Sequence, residues 1–185
     1  MHEEITTEII RKMDHTLEVI QEELAAVRTG RASADVLKPV HVEYYGSSTP
    51  LMQLASISTP DSQLITVTPY DPSAGKAIEK AINAANMGFN ASLDGATIRV
   101  PIPVLTEERR KEMVKHVRKL GEEGKVAIRN LRRDANDRVK KLLKNKDISE
   151  DEERHAEHTI QTATDKHVAS IDEMVKKREQ DLMKV

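Results

Sequence analysis

Residues Thr106–Asn145 read TEERRKEMVKHVRKLGEEGKVAIRNLRRDANDRVKKLLKN, a helical pattern of about eleven turns without a proline. Val117, Leu120, Ile128, Leu131, Ala135, Val139 and Leu142 recur on one side of it. Thr106 is a natural N-cap, and Glu107 and Glu108 suit the positive end of the helix dipole. A helix with one apolar stripe is not stable alone in water, so other segments must cover that stripe. Downstream, Ser149-Glu150-Asp151-Glu152 is a capping box that opens a second long helix through Ile160, Ala163, Ile171, Val175 and Leu182. The connection Lys144-Asn145-Lys146-Asp147-Ile148 is short and polar, so these two helices should lie antiparallel. Upstream, Ile5, Ile9, Met13, Leu17, Ile20, Leu24 and Val27 predict a helix over about Glu4–Arg28. A three-helix bundle buries all three stripes.

Between the first and second helices the texture changes. All seven prolines fall in 31–104, where β-branched alternation replaces the helical period. Val40, Val42 and Tyr44 alternate before Gly46, as do Ile65 and Val67, and then Ile98, Val100 and Ile102. Asp94-Gly95 reads as a tight hairpin turn, and Ala77, Ile78, Ala81 and Ile82 predict a helix over Ala74–Ala85. The fold class is therefore α+β. A bundle domain of 1–30 and 105–185 carries an inserted small domain of 31–104. The chain crosses between them near Thr29-Gly30-Arg31 and near Val104-Leu105, a pair of short linkers suited to a hinge.

Charge is distributed as unevenly as structure. The segments 1–30, 31–104, 105–145 and 146–185 carry net charges of −4, −1, +7 and −4 within a total of −2. One helix is thus strongly cationic, the mark of a surface for polyanions. Cysteine is absent, which excludes disulfides, thiolate metal sites and cysteine nucleophiles and fits a reducing, cytoplasmic setting. No stretch is apolar enough to span a membrane, and Met1–Glu8 lacks the layout of a signal peptide. With no tryptophan, one phenylalanine and three tyrosines, base stacking cannot be the main mode of nucleic-acid binding. His155 and His158 have a spacing that can share a metal, but no third ligand is evident and no metal site is expected. No nucleophile elbow, P-loop or dinucleotide turn occurs, so neither catalytic residues nor a cofactor is expected. Tyr44-Tyr45-Gly46 reads as a strand end with one ring packed on the small core.

At one hundred degrees per residue from Ile128, Leu131, Ala135, Val139 and Leu142 cluster around the core direction. Lys125, Arg129, Arg133, Asn136, Lys140 and Lys144 share an adjoining arc, with Arg132 at its border with the core. Asp134 and Asp137 fall on the far side and cannot neutralise this stripe through their own helix. A solvated face laced with salt bridges to the acidic first and third helices is the competing reading. The arginines at the centre of the run suit bidentate phosphate contact, which favours structured RNA read by backbone and shape.

Three motifs carry a resemblance: Arg28-Thr29-Gly30-Arg31-Ala32, Leu105 to Lys111, and Ala127 to Asp137, the last reading AIRNLRRDAND. Supporting stretches are Val42 to Gly46, Pro50 to Ala55, Glu79 to Ile82 and Ser149 to Glu152. From end to end, and in order, the chain resembles the bacterial ribosome recycling factor family. The resemblance implies an L-shaped protein of two domains, a long three-helix bundle and a smaller β/α/β sandwich domain. It implies binding to the post-termination ribosome through large-subunit ribosomal RNA. With elongation factor G and GTP, such a protein promotes subunit splitting and release of messenger and transfer RNA. Arg28, Arg31, Arg110, Arg129, Arg132 and Arg133 are the matching candidates for RNA contact, and the linkers map onto Thr29–Arg31 and Val104–Leu105. A monomer is expected. Gln63 stands where the family often has arginine, and Val104 where a second proline is frequent. Gly121 and Gly124 are expected to loosen the helix before the basic stripe, at about 1 kcal/mol each relative to alanine. Two other functions share parts of this pattern: a general RNA-binding protein without ribosome specificity, and a self-associating coiled-coil scaffold.

Overall fold

Long-range packing of three amphipathic helices and a proline-rich insertion sets the architecture, which a computed structural model describes for residues 1–85 and 88–184. In chain order, α1 (His2–Ala26) is followed by a 3-10 turn at Ala34–Leu37 and the strands β1 (His41–Tyr44) and β2 (Ser47–Pro50). Next come the single-turn α2 (Leu51–Leu54), β3 (Ala55–Asp61), β4 (Leu64–Pro69) and a 3-10 turn at Pro72–Ala74 that leads into α3 (Gly75–Ala84). β5 (Ser92–Asp94), β6 (Thr97–Pro101), α4 (Glu107–Lys144) and α5 (Glu150–Met183) complete the chain. Two compact units result: Met1–Val27 with Glu108–Val185, and Arg28–Glu107. The unit boundaries fall three residues outside those read from the sequence, so Arg28 to Gly30 and Leu105 to Glu107 group with the small unit.

In the helical unit the apolar stripes meet as their spacing requires. Ile5, Ile9, Met13, Ile20 and Leu24 of α1, Val117, Leu120, Ile128, Ala135 and Val139 of α4, and Ala156, Ile160, Ala163, Ile171 and Leu182 of α5 are buried. Each isoleucine or leucine in that set contributes about 1.5–3 kcal/mol by leaving water. Gly121 and Gly124 correct the sequence reading. Both are buried, and a Cβ at Gly121 would lie 2.5 Å from Val175 Cγ2, while one at Gly124 would lie 2.8 Å from Ile20 Cγ1. They are the places where α5 and α1 press against the α4 backbone, so missing side chains tighten the bundle there. The turn between α4 and α5 is a Schellman motif: Asp147 N–H donates to Leu142 O and Lys146 N–H to Leu143 O, both at 2.9 Å, with Lys146 at φ +65°. Ser149 and Glu152 form the reciprocal capping box that the sequence announces.

α1 ends two residues before the predicted Arg28 because Val27 turns extended, at φ −70° and ψ 122°. Its last carbonyls find a donor on another helix. The Arg178 guanidinium of α5 donates to Ala25 O at 3.0 Å and also to Val27 O. His167 of α5 ties α1 further down, with Nε2 2.7 Å from Asp14 Oδ1 and Nδ1 2.6 Å from Ala163 O.

In the small unit, β1 and β2 form a hairpin, and the order β3-β4-β6-β5 makes a four-stranded antiparallel sheet. The α3 helix packs against both β1 and the β5–β6 edge, so the layers are hairpin, helix and sheet. Val40, Val42, Ile65, Val67, Ile78, Ile82, Phe89, Ile98, Val100 and Ile102 build its core. Asp94 pairs with Thr97 across Gly95, as expected of an Asp-Gly turn. β3 was not legible from alternation. It is an edge strand with only Ala55 buried, and its register breaks between Ser58 and Asp61, where Pro60 is tolerated. Tyr44 is half-buried and donates from its hydroxyl to Asp71 Oδ2 at 2.8 Å, while Tyr45 is exposed.

Candidate nucleic-acid interface

The cationic helix α4 carries two kinds of basic residue, and the structure separates them. Arg118 Nε lies 2.6 Å from Glu179 Oε1 of α5, and Arg138 Nη2 lies 2.9 Å from Glu8 Oε2 of α1. Lys125 Nζ reaches Asp172 at 2.8 Å and Glu122 at 2.7 Å, with only 16 % of its side chain exposed. These residues brace the bundle through the acids of its neighbours. The bracing shows in their ionisation. Arg138 and then Lys12 hold the Glu8 carboxyl down to about 2, and Asp172 first, then Glu122, raises the Lys125 ammonium.

Arg129 and Arg133, one turn apart at the centre of the stripe, are exposed and make no hydrogen bond or ion pair among the described residues. Arg132 is half-buried at the border with the core, and its Nη1 donates to Gln161 Oε1 at 3.2 Å. Gln161 in turn donates to Asp165 at 2.8 Å, so α5 engages one donor of this guanidinium through an amide that is itself held. Lys140 stands 4.0 Å from Glu157, with 63 % of its side chain exposed, and is only loosely held. Asp134 pairs with Arg138 at 3.9 Å, away from Arg129 and Arg133. From Lys125 to Lys140 the stripe extends about 22 Å along α4. That length spans several phosphates of an RNA helix.

The remaining candidates lie elsewhere. Arg110, in the first turn of α4, is half-buried with its Nε shielded from solvent and lacking an acceptor among the described residues. Arg28 and Arg31 belong to the small unit. Arg28 stacks its Cζ 5.1 Å from the centroid of the Phe89 ring, and Arg31 is exposed without a partner among the described residues. The sequence pattern missed Arg138 and the acids Glu8, Asp172 and Glu179. Those contacts join residues 47 to 130 positions apart, so no local period reveals them.

A broad cationic helix face with fixed and free guanidinium groups can bind a phosphate backbone, and it offers no constellation for bond-making chemistry. Among the described residues no group of three or more His, Asp or Glu could hold a metal ion, and no helix is long and apolar enough to cross a membrane.

Comparison with known proteins shows the family of the chain. The family model described as "Ribosome recycling factor" matches residues 20–183. The chain is 50 % identical over 185 residues to the ribosome-recycling factor of Bacillus subtilis (strain 168), covering all of both chains. It is 48 % identical over 182 residues to that of Staphylococcus saprophyticus, covering 98 % of this chain and 99 % of the relative. A solution structure of a ribosome recycling factor superposes with a TM-score of 0.86 at 38 % identity, covering 100 % of this chain and 98 % of the other. A second similar structure is the Thermus thermophilus ribosome recycling factor, bound with Escherichia coli elongation factor G to the Escherichia coli post-termination complex. It gives a TM-score of 0.69 at 44 % identity, with both chains fully covered.

Proposed function

This chain belongs to the ribosome recycling factor family, and from that premise we propose that it binds the post-termination ribosome through large-subunit ribosomal RNA. Together with elongation factor G and GTP it then promotes subunit splitting and the release of messenger and transfer RNA. The family comprises translation factors that are not enzymes, and the nucleotide chemistry belongs to the partner. The observation that carries the reading is the pair Arg129 and Arg133. Lys125 and Arg138 on the same helix are neutralised by acids of α5 and α1, whereas these two meet no partner among the described residues and offer their donors to an external anion.

In this reading the bundle is the anchor. Arg132, held through one donor by Gln161, adds a contact, and Lys140 and Arg110 add outlying ones. Lys125 contributes by bracing rather than by binding. The small unit, Arg28–Glu107, is the part that moves against the anchor, with the hinge in its first and last residues, at Thr29, Gly30 and Arg31 and at Val104 and Leu105. Gly30 supports this placement: it holds φ +72°, and a Cβ there would lie 3.0 Å from Leu105 Cγ. The two crossings of the chain therefore touch, at a position that favours glycine. The protein works in the cytoplasm as a monomer.

Subunit splitting followed by light scattering, with cognate elongation factor G and GTP, tests the proposal. The wild-type chain should dissociate post-termination ribosomes, and the Arg129→Ala/Arg133→Ala double variant should need a much higher concentration to do so. Splitting by the double variant at wild-type concentration would overturn the assignment of the interface. Ready displacement of the wild type from large subunits by bulk transfer RNA would favour a general RNA binder instead.

A further inference from the structure

One arginine of the helical unit works away from the cationic stripe. The final carbonyls of a helix lack intrahelical donors and carry the negative end of its dipole, yet α1 has no basic residue in its own last turn. The cation comes from α5. Arg178 donates from Nη2 to Ala25 O at 3.0 Å and to Val27 O, across 153 and 151 positions of sequence. A planar guanidinium suits two neighbouring carbonyls better than the point charge of a lysine would.

What sets this cap apart is the peptide group it holds. Val27 is the last residue of the bundle before the chain enters the inserted unit, which begins at Arg28. Its side chain is buried, its N–H donates to Leu24 O at 3.2 Å, and its carbonyl is taken by Arg178. That carbonyl belongs to the peptide joining Val27 to Arg28. With the Val27 Cα fixed by burial, holding the oxygen sets the whole peptide plane, and so places the Arg28 nitrogen and Cα as well. The first torsion left to the crossing is φ of Arg28. The small unit has its own hold on the chain. The Arg28 Cζ lies 5.1 Å from the Phe89 centroid, and Ala32 N–H donates to Ser62 O at 2.7 Å. Between the two grips remain only the backbone torsions of Arg28 to Arg31.

We propose that Arg178 is a positioning residue for recycling: it fixes the direction in which the chain leaves the bundle, and with it the axis about which the small unit swings. This rests on the hinge reading given above. In this role Arg178 acts through the Val27 carbonyl and needs no contact with RNA.

Amide hydrogen exchange and residual dipolar couplings on the full-length, isotopically labelled chain test this, with Arg178→Ala, Arg178→Gln and Arg178→Lys beside the wild type. In Arg178→Ala the protection of Ala26 and Val27 should fall about tenfold, as for the loss of a hydrogen bond to a charged group, while Ile9 and Met13 keep theirs. The couplings of the small unit should shrink relative to those of the bundle, which reports a wider swing. Arg178→Lys, which keeps the charge, should recover part of both. With cognate elongation factor G and GTP, Arg178→Ala should lower the maximal rate of subunit splitting and leave the half-maximal concentration unchanged. Unchanged couplings in Arg178→Ala would overturn the proposal. So would a loss of protection shared equally by Ile9 and Met13, which makes the residue a plain stabiliser of the bundle, or a raised half-maximal concentration at an unchanged maximal rate, which makes it a binding residue. If Arg178→Ala does not fold, Arg178→Gln, which keeps an N–H donor without the charge, carries the same comparison. Exchange and couplings need no ribosome, so they decide this proposal even where the wild type fails to split subunits.

Discussion

Lys125 and Arg129 stand one turn apart on α4 and serve different ends. Lys125 is enclosed by Asp172 and Glu122, whereas Arg129 meets no acid among the described residues. Lys125→Ala should therefore lower the melting temperature by about 2–4 °C, corresponding to about 1 kcal/mol, and barely change RNA affinity. Arg129→Ala should leave melting within about 1 °C and reduce the slope of log affinity against log salt by about one. A calorimetric scan paired with a salt titration on isolated large subunits distinguishes the two, and equal behaviour would refute the division. A second residue-level outcome concerns Tyr44, whose phenol is pushed up to about 12, first by its hydrogen bond to Asp71 and then by burial. Ultraviolet titration should show a phenolate step near 12 that is absent from Asp71→Asn.

At the scale of elements, α4 is shaped by what it leaves out. Alanine at Gly121 gains about 1 kcal/mol of helix propensity but meets Val175 Cγ2 at 2.5 Å. Overpacking of a buried contact costs about 1–3 kcal/mol, so Gly121→Ala should be net destabilising in urea unfolding despite the better helix former. The α1–α4 contact has its own signature. Glu8 drops from 4.5 to about 2 on folding, so its pairing with Arg138 is complete above 4.5 and is lost as pH falls towards 2. Glu8→Gln should be less stable than the wild type at neutral pH, and that gap should close between pH 4.5 and 2. Much of this level was legible in the sequence. The capping box at Ser149, the Asp94-Gly95 turn and the apolar periods of α1, α4 and α5 follow from local chemistry. What escaped depends on distant partners. The two glycines read as weak points until Ile20 and Val175 are seen against them, and β3 lacked an alternating face because it lies at a sheet edge. The basic stripe was visible as a whole, but its partition into braces and free arginines was not.

For the whole molecule, Gly30 and Leu105 matter most, because there the outgoing and returning chains touch. Any L side chain at φ +72° is strained, and a Cβ at 3.0 Å from Leu105 Cγ adds crowding. Gly30→Val should cost about 1–2 kcal/mol of stability and slow subunit splitting while leaving large-subunit affinity unchanged. A variant that splits at the wild-type rate would remove the linker from the mechanism. The discontinuity of the helical unit also bears on how the protein is made. α1 leaves the ribosome first, but its partners α4 and α5 lie beyond the inserted unit, Arg28–Glu107. At roughly 5–20 residues per second, α1 waits roughly 8–30 s for α5 to be complete. Until α5 emerges Ile5, Ile9, Met13, Ile20 and Leu24 lack the helix that completes their core, while the insertion has all its strands once Pro101 is made and can fold from about the middle of that interval. The nascent chain thus carries an unshielded apolar helix behind a finished domain, and that helix is the natural target for a chaperone during synthesis.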